Sequence, residues 1–135
     1  MTSPHKPRLL IVDDRAAVRG ALSRFIEATT PYKVCDGVDD GVSAIRKAME
    51  ARCDLILLNL RMPLQDSLVT VSLLRSKLPH VKIVGISNSS MDLENWMSPA
   101  TGFDAVLTNQ DGLSKLVETL KALMPEPPRG KNSGE

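Results

Sequence analysis

The sequence predicts an α/β protein, a three-layer α/β/α sandwich in which a five-stranded parallel sheet lies between two layers of helices. Five short apolar runs alternate with longer segments whose apolar residues recur every three or four positions. Strict alternation of strands and helices is typical of a parallel sheet that is covered on both faces. The third run, residues 55–58, is apolar throughout, which indicates a central strand that is buried on both faces.

Length and composition indicate one soluble globular domain. The chain has 135 residues, of which 42% are hydrophobic and 24% are charged. We place the domain at residues 8–123, with flexible termini at residues 1–7 and 124–135. A net charge of +1 and an aromatic content of 3% give no basis for binding nucleic acid or a membrane surface.

The absence of a signal-peptide pattern and the cysteine usage both favour a cytoplasmic protein. The N-terminus shows no signal-peptide pattern, and the longest apolar run is too short to span a membrane. Cys35 and Cys53 form no close-spaced motif, and we expect both to be reduced packing residues.

The first two strands and helices follow from local patterns. The first strand covers about residues 8–12, and the second covers about residues 32–36. The helix between them ends at the Thr-Thr-Pro of residues 29–31, because a proline disfavours helical backbone at the residue before it. Its apolar stripe consists of Ala17, Val18, Ala21, Leu22, Phe25 and Ile26. The second helix spans residues 41–51, and its predicted inward residues are Val42, Ile45 and Met49.

The middle of the chain continues the alternation. The third strand covers residues 54–58, and a loop at 61–67 leads to a helix over 68–77, which ends before Pro79. The fourth strand covers residues 81–86.

The last third of the chain predicts two helices, one short or distorted and one regular. Residues 91–97 predict a short or distorted helix, since Pro99 makes its continuation costly. The fifth strand covers residues 105–108, and the C-terminal helix covers 113–123.

Polar side chains follow the predicted strands where each strand ends: Asp13, Asp14, Asn59, Ser87 and Asn109. Ligands of open α/β sheets bind at the carboxyl ends of the strands, so these residues are expected to converge. A carboxylate at position 59 could attack phosphorus and hold a divalent cation. A carboxamide is uncharged and a poor nucleophile. The chain therefore has the layout for phosphoryl chemistry without the group that would perform it.

Across residues 8–123 the chain resembles the receiver domain of two-component response regulators, the CheY-like superfamily. The matching residues are Asp13, Asp14, Asn59, Met62, Pro63, Ser87 and Gly102. The resemblance implies a flavodoxin-like fold with strand order 2-1-3-4-5 and a role in bacterial two-component or phosphorelay signal transduction.

The resemblance also implies a metal site. In the family the acidic pair, here Asp13 and Asp14, binds Mg²⁺ together with an aspartate at the position of Asn59 and the backbone carbonyl at the position of Arg61. With one carboxylate replaced by an amide, we expect Mg²⁺ to bind weakly if at all, because this hard cation prefers anionic oxygens.

The remaining family positions concern phosphoryl transfer and switching. The resemblance implies a phospho-acceptor at Asn59, a lysine at Asn109, a switch hydroxyl at Ser87 and a switch aromatic at Val106. Only the hydroxyl is kept, so acceptor, phosphate clamp and aromatic reporter are all absent. Without the lysine no fixed charge neutralises a transferring phosphoryl group.

Several residues keep an alternative interpretation. The acidic pair could instead cap the first helix. Arg61 could pair with that acidic pair in place of the cation, or lie in solvent, and we expect Arg15 and Arg19 on the solvated face of the first helix. Asn109 could hydrogen-bond in the pocket or cap the turn that precedes the C-terminal helix. Trp96 could contact a partner or pack against the sheet.

The leading hypothesis is a single-domain, non-enzymatic pseudo-receiver that cannot be phosphorylated and acts by protein–protein interaction. Its expected partner is a histidine kinase, a phosphotransfer protein or another regulator, bound through the face of the 91–97 helix, fifth strand and C-terminal helix, and a homodimer is an option. The alternative is an ordinary phosphorelay receiver with an acceptor-blocking Asp-to-Asn substitution at Asn59. A flavin protein or phosphatase is disfavoured, because Asp13-Asp14-Arg15 stands where a phosphate loop would be and no ionised nucleophile is visible.

Overall fold

A parallel sheet of five strands organises the protein. The computed structural model describes residues 6–35, 41–60, 64–87 and 102–125, without the side chains of residues 41–42 and 64–67. Within these segments the strand order is β2-β1-β3-β4-β5, and every neighbouring pair is parallel. The predicted sheet and its 2-1-3-4-5 order are confirmed.

The strands are β1 Arg8–Val12, β2 Lys33–Val34, β3 Leu55–Asn59, β4 Lys82–Ser87 and β5 Ala105–Thr108. The described helices are α1 Ala16–Thr29, α2 Gly41–Ala51, α3 Leu64–Lys77 and α4 Gly112–Ala122, the last preceded by a 3₁₀ turn at Asn109–Asp111. In this part of the chain no helix has the length and apolar character needed to cross a lipid bilayer.

Most element bounds agree with the sequence prediction, and three differ in a way that matters. The strands β3 and β4 each extend one residue further, so that Asn59 and Ser87 are their last residues. The helix α3 begins at Leu64 and takes up part of the predicted 61–67 loop. Leucines at 64 and 68 are one helical turn apart, and an acidic residue at 66 favours a helix N-terminus.

Some predicted features lie outside the described residues. These are the short helix at 91–97, the loop residues Arg61, Met62 and Pro63, and most of the 124–135 tail. Trp96 and its predicted interface role fall in the same undescribed part of the chain.

Two apolar clusters, one on each face of the sheet, form the core. Along β3, Ile56 and Leu58 face the cluster under α2 and α3, while Leu55 and Leu57 face the cluster under α1 and α4. All four side chains are buried, so the prediction of a strand covered on both faces is confirmed.

The helix α2 approaches the sheet through small side chains. Ala44 and Ala48 are fully buried, whereas Met49, predicted to face inward, is 47% exposed. Consecutive helical residues are about 100° apart around the axis, so a stripe centred on the two alanines turns Met49 toward solvent. The prediction for Met49 was therefore wrong.

The guanidinium of Arg75 connects α3 to the segment that enters β5. Its Nε and Nη2 donate to the Gly102 carbonyl at 3.0 and 2.7 Å, and the same side chain donates to the Val81 carbonyl and pairs with Asp104. The Asp104 carboxylate also accepts the Ile83 N–H at 2.7 Å. Gly102 has φ +85°, and a Cβ there would lie 2.9 Å from a Val71 methyl, so glycine is required.

The two cysteines lie side by side in the core cluster under α2 and α3. Cys35 Sγ and Cys53 Sγ are 3.7 Å apart, and both are free. Burial, reinforced by the neighbouring Cys35, raises the pKa of the Cys53 thiol to about 12, which keeps it protonated at neutral pH.

A buried tyrosine joins the edge of the sheet to the last turn of α4. Tyr32 is 2% exposed, and its hydroxyl donates to the Leu120 carbonyl at 3.0 Å. Burial raises the pKa of this phenol, so its proton stays in the hydrogen bond at all working pH values.

We expect Tyr32→Phe to lower the free energy of unfolding by about 1–3 kcal/mol, because it leaves a buried carbonyl without its donor while preserving the ring packing. Urea unfolding at neutral pH measures this loss. Thr29→Val is the matched control, since it removes a hydroxyl-to-carbonyl bond of 2.8 Å at an exposed site and is expected to change stability by less than about 0.5 kcal/mol. Equal effects of the two substitutions would contradict a stabilising role for the buried hydrogen bond of Tyr32.

Candidate functional site

The carboxyl ends of the strands bring the predicted polar residues to one edge of the sheet. Asp13 follows β1, Asn59 ends β3 and Ser87 ends β4. The register sets Val12 beside Leu58 and Asn59 beside Ile86, which places these strand ends at one level. The predicted convergence at this edge of the sheet is present.

The Asp13 carboxylate has its full complement of hydrogen bonds. Its side chain is 1% exposed. Oδ1 accepts the backbone N–H of Arg15 at 2.9 Å and Arg15 Nε at 3.0 Å. Oδ2 accepts Arg15 Nη2 at 2.9 Å and Asn59 Nδ2 at 2.9 Å. Four donors match the roughly four lone-pair directions of a carboxylate, so Asp13 is saturated.

Arg15 supplies most of this saturation and neutralises the charge. Its guanidinium holds Asp13 through two parallel N–H···O bonds, the geometry in which arginine binds a carboxylate most strongly. Arg19 Nη1 donates to the Asp13 backbone carbonyl. Arg15 is exposed, as expected, but it precedes α1, and the expectation of a solvated helix face for Arg15 and Arg19 missed their contacts with Asp13. An arginine that directly follows an acidic pair at a strand end is the signal that could have shown this contact.

The side-chain orientation of Asn59 follows from its neighbour. Asp13 can only accept hydrogen bonds, so the Asn59 amide must turn its NH₂ group toward it. The Asn59 Oδ1 atom is then buried, and it has no hydrogen-bond partner in the part of the chain that the structure describes. An unsatisfied buried acceptor is costly and uncommon.

The pKa of Asp13 reflects opposing effects. Burial is the largest single influence and raises it, but the hydrogen bonds from the Arg15 side chain and backbone, the charge of Arg15 and the Asn59 amide together outweigh burial. The pKa of Asp13 is consequently lowered from its ordinary 3.8, and the carboxylate stays ionised.

These residues do not fit a divalent cation. Both oxygens of Asp13 are engaged by Arg15 and Asn59, and the amide nitrogen of Asn59, not its oxygen, faces the acid. Asp14 is exposed, and among the described residues no group of three or more His, Cys, Asp or Glu side chains could hold a metal. The fourth predicted ligand, the Arg61 carbonyl, lies outside those residues.

The acidic pair does not cap α1 in the predicted way. The N-cap position is Arg15, and no side chain caps it, but the Asp13 carboxylate accepts the Arg15 N–H two residues later in the chain. Asp14 lies at the surface beside this turn.

Two of the other predicted positions, Ser87 and Asn109, lie at the same edge of the sheet, and Val106 lies in the core. Ser87 is buried at the end of β4, and Val106 is a buried member of the core cluster under α2 and α3. Asn109 is exposed in the 3₁₀ turn, and the turn is capped by the Asp111 carboxylate, which accepts the Thr108 N–H at 2.7 Å. The described cap of this turn is thus made by Asp111.

A cavity adjoins the Asp13 site, and sequence reasoning did not predict it. Its volume is about 390 Å³, and it lies over the sheet between α1 and α4. Apolar side chains of both helices and of the strands form its walls, while Arg15, Asn59 and Asn109 border it at the carboxyl edge of the sheet. No single segment carries a signal for it, because the walls come from six different elements.

Comparison with known proteins places the chain among signalling domains. The family model described as the response regulator receiver domain matches residues 9–121. PrrA, a transcriptional regulatory protein of Mycobacterium tuberculosis, is 32% identical over 123 residues, which are 91% of this chain and 52% of PrrA. A protein-glutamate methylesterase/protein-glutamine glutaminase of Azospirillum brasilense is 34% identical over 84 residues, 62% of this chain and 21% of that protein. The chain spans about half or less of these curated relatives.

Solved structures agree on the fold. The chemotaxis response regulator CheY4 of Vibrio cholerae superposes with a TM-score of 0.75 at 24% identity, covering 89% of this chain and 100% of CheY4. The response regulator TrrA of Thermotoga maritima, solved in complex with Mg²⁺–BeF, gives a TM-score of 0.74 at 25% identity, covering 87% of this chain and 99% of TrrA. The fold is therefore the CheY-like flavodoxin fold, as the resemblance implied.

The lowered pKa of Asp13 predicts an acid-sensitive part of the stability. Because the folded carboxyl binds a proton less readily than the unfolded one, its contribution is present above pH 3.8 and is lost as the pH falls through the lower folded value. We expect the difference in free energy of unfolding between the original chain and Asp13→Asn to shrink below that pH. Urea unfolding at pH 7, pH 5 and about pH 3 measures it. Asp14→Asn, at an exposed site, is the control. A difference in free energy of unfolding between the original chain and Asp13→Asn that does not change with pH would contradict the lowered pKa of Asp13.

Proposed function

We propose, from the premise that this chain belongs to the response regulator receiver domain family, that it is a receiver whose working state does not depend on phosphorylation. Membership in the family places it in two-component signal transduction. The proposal concerns how this particular chain takes part, and it assigns the receiver to residues 8–123.

The observation that carries the proposal is the Arg15–Asp13–Asn59 network. A receiver that accepts a phosphoryl group needs a free carboxylate, a cation and room for three phosphoryl oxygens. Here a guanidinium of the chain itself binds the carboxylate of Asp13, and an amide occupies the acceptor position. The network supplies internally the charge neutralisation that a metal would give, and it favours one fixed arrangement of the pocket.

Two further positions support the same conclusion. Asn109 stands at the family's lysine position, so no fixed cation there would neutralise a phosphoryl group in flight. Val106 is packed in the core and has neither a ring nor a polar group that could move between a buried and an exposed state. TrrA was solved with Mg²⁺–BeF, and the corresponding chemistry lacks its acceptor in this chain.

The function that follows is protein–protein interaction and not catalysis. The matches cover 21% of the methylesterase and 52% of PrrA, so the activities of those whole proteins do not argue for catalysis by the matched domain. We propose that the chain binds a histidine kinase, a phosphotransfer protein, another regulator or a second copy of itself. The face around β5 and α4, with the segment that contains Trp96, is the proposed contact surface.

An ordinary phosphorelay receiver with a blocking substitution at Asn59 is the second candidate. It is favoured by the retained acidic pair and by the buried hydroxyl of Ser87 at the end of β4. This candidate requires that an aspartate at position 59 alone restore phosphorylation.

We expect neither the original chain nor Asn59→Asp to gain a phosphoryl group. The revertant would set a second carboxylate against Asp13 while Arg15 still holds the first, and the lysine would still be missing. Intact mass after incubation with Mg²⁺ and acetyl phosphate measures the outcome. A chain with Asn59→Asp, Asn109→Lys and Arg15→Ala is the comparison that restores acceptor and clamp together. Phosphorylation of Asn59→Asp alone would establish the second candidate instead.

Arg15 should exclude Mg²⁺ from the site. We expect no saturable binding by the original chain up to about 10 mM Mg²⁺, and measurable binding once Asn59→Asp is combined with Arg15→Ala, because two carboxylates then lack a cation. Isothermal titration calorimetry measures both. Asn59→Asp combined with Arg19→Ala is the matched control, since Arg19 contacts only the Asp13 backbone in this site. Equal Mg²⁺ affinity of the two double variants would refute the role given to Arg15.

A further inference from the structure

The cavity between α1 and α4 has the dimensions and lining of a ligand site. Its volume of about 390 Å³ falls within the range of roughly 300–1,000 Å³ that is usual for small-molecule pockets. The floor includes Leu57 of β3, while Val18 and Leu22 of α1 face Leu113 and Leu116 of α4 across the opening.

The walls of this cavity are apolar and incompletely covered. Val18 and Leu22 are only half-buried, and Leu113 is 54% exposed although it lines the cavity. Apolar surface that stays in contact with water at a concave site is unfavourable, and a molecule that displaces this water gains the corresponding free energy. The cavity therefore favours an occupant with an apolar body.

The polar edge of the cavity selects a neutral head group. Among the described residues that line the cavity, Arg15 is the only one with a positive charge, and it is already paired with Asp13. Neither an anion nor a cation therefore finds an uncompensated partner on this lining. Asn59 also lines the cavity, and its Oδ1 is a buried acceptor that lacks a donor within the described segments. Because Oδ1 has almost no accessible surface in this arrangement, an N–H or O–H group of a ligand would supply that donor only with a shift of the Asn59 amide toward the cavity.

We infer that this cavity binds a small neutral molecule with an apolar ring or chain and one N–H or O–H donor directed at Asn59. This inference deepens the proposed function and rests on it, because the ligand would provide the input signal that phosphorylation provides in other receivers. The ligand would lie against α4 as well as against the Asp13 site, so its binding is sensed by the helix that belongs to the proposed contact surface.

The test uses indole, which has a flat apolar body and a single N–H donor, and benzofuran, in which an oxygen replaces that N–H. Titration of the ¹⁵N-labelled full chain, followed by amide chemical shifts, gives the affinity and the location. We expect saturable shifts at residues around the cavity, with a Kd of about 1 mM or tighter for indole, and binding of benzofuran weaker by roughly two- to tenfold.

Two substitutions locate the site. Val18→Phe fills the cavity from α1 and is expected to abolish the indole shifts, whereas Val69→Phe, at an exposed position of α3 on the other side of the sheet, is expected to leave them unchanged. If Val18→Phe does not fold, Leu113→Trp at the exposed opening serves the same purpose.

Three results would overturn the inference: no saturable shift around the cavity, indole binding that survives both filling variants, or binding of benzofuran as tight as that of indole. None of them would alter the outcome of the phosphorylation assay. Failure of this ligand site and failure of the phosphorylation-independent receiver are therefore separate observations.

Discussion

Neutralisation of one buried carboxylate organises the functional end of this molecule. The Asp13 side chain is almost completely shielded from water. Four N–H groups of Arg15 and Asn59 donate to its carboxylate and stabilise the ionised form. The same four donors fix the start of α1, the rotamer of Arg15 and the orientation of the Asn59 amide. The polar residues that the sequence places at this edge of the sheet therefore bind to one another in the Arg15–Asp13–Asn59 network. The cavity lies beside this network, over the apolar face of the sheet between α1 and α4.

The sheet supports this unit because its register is determined by apolar packing. Four buried residues of β3 lock that strand between β1 and β4, and Asn59 is carried to its place as the next residue along. On the α1 and α4 side the helices are joined to the sheet far from the site, where the Tyr32 hydroxyl binds the last turn of α4. Near the site α4 begins at Gly112 with an exposed Leu113, which is where the cavity opens.

Local patterns made much of this predictable. The bounds of β1, α2 and β5 and the gathering of Asp13, Asn59 and Ser87 at one edge follow from periodicity and from the rules of parallel sheets. The sheet order follows from the resemblance to receiver domains. The partner of Asp13 did not follow, because Arg15 was expected on the solvated face of the first helix and the local pattern does not encode the direction of a side chain at a helix start. The exposure of Met49 and the cavity depend on how a helix is rotated or spaced on the sheet, which no single segment encodes.

The saturation of Asp13 also limits the routes by which its surroundings can change during evolution. Replacing Arg15 first leaves a buried anion with one amide as its remaining side-chain donor, and replacing Asn59 by an acid first sets two anions together around a single guanidinium. Each single step on the way to a metal-binding acidic cluster is thus less favourable than its starting point. Conversion of this arrangement into an acidic cluster therefore requires coordinated substitutions of Arg15 and Asn59.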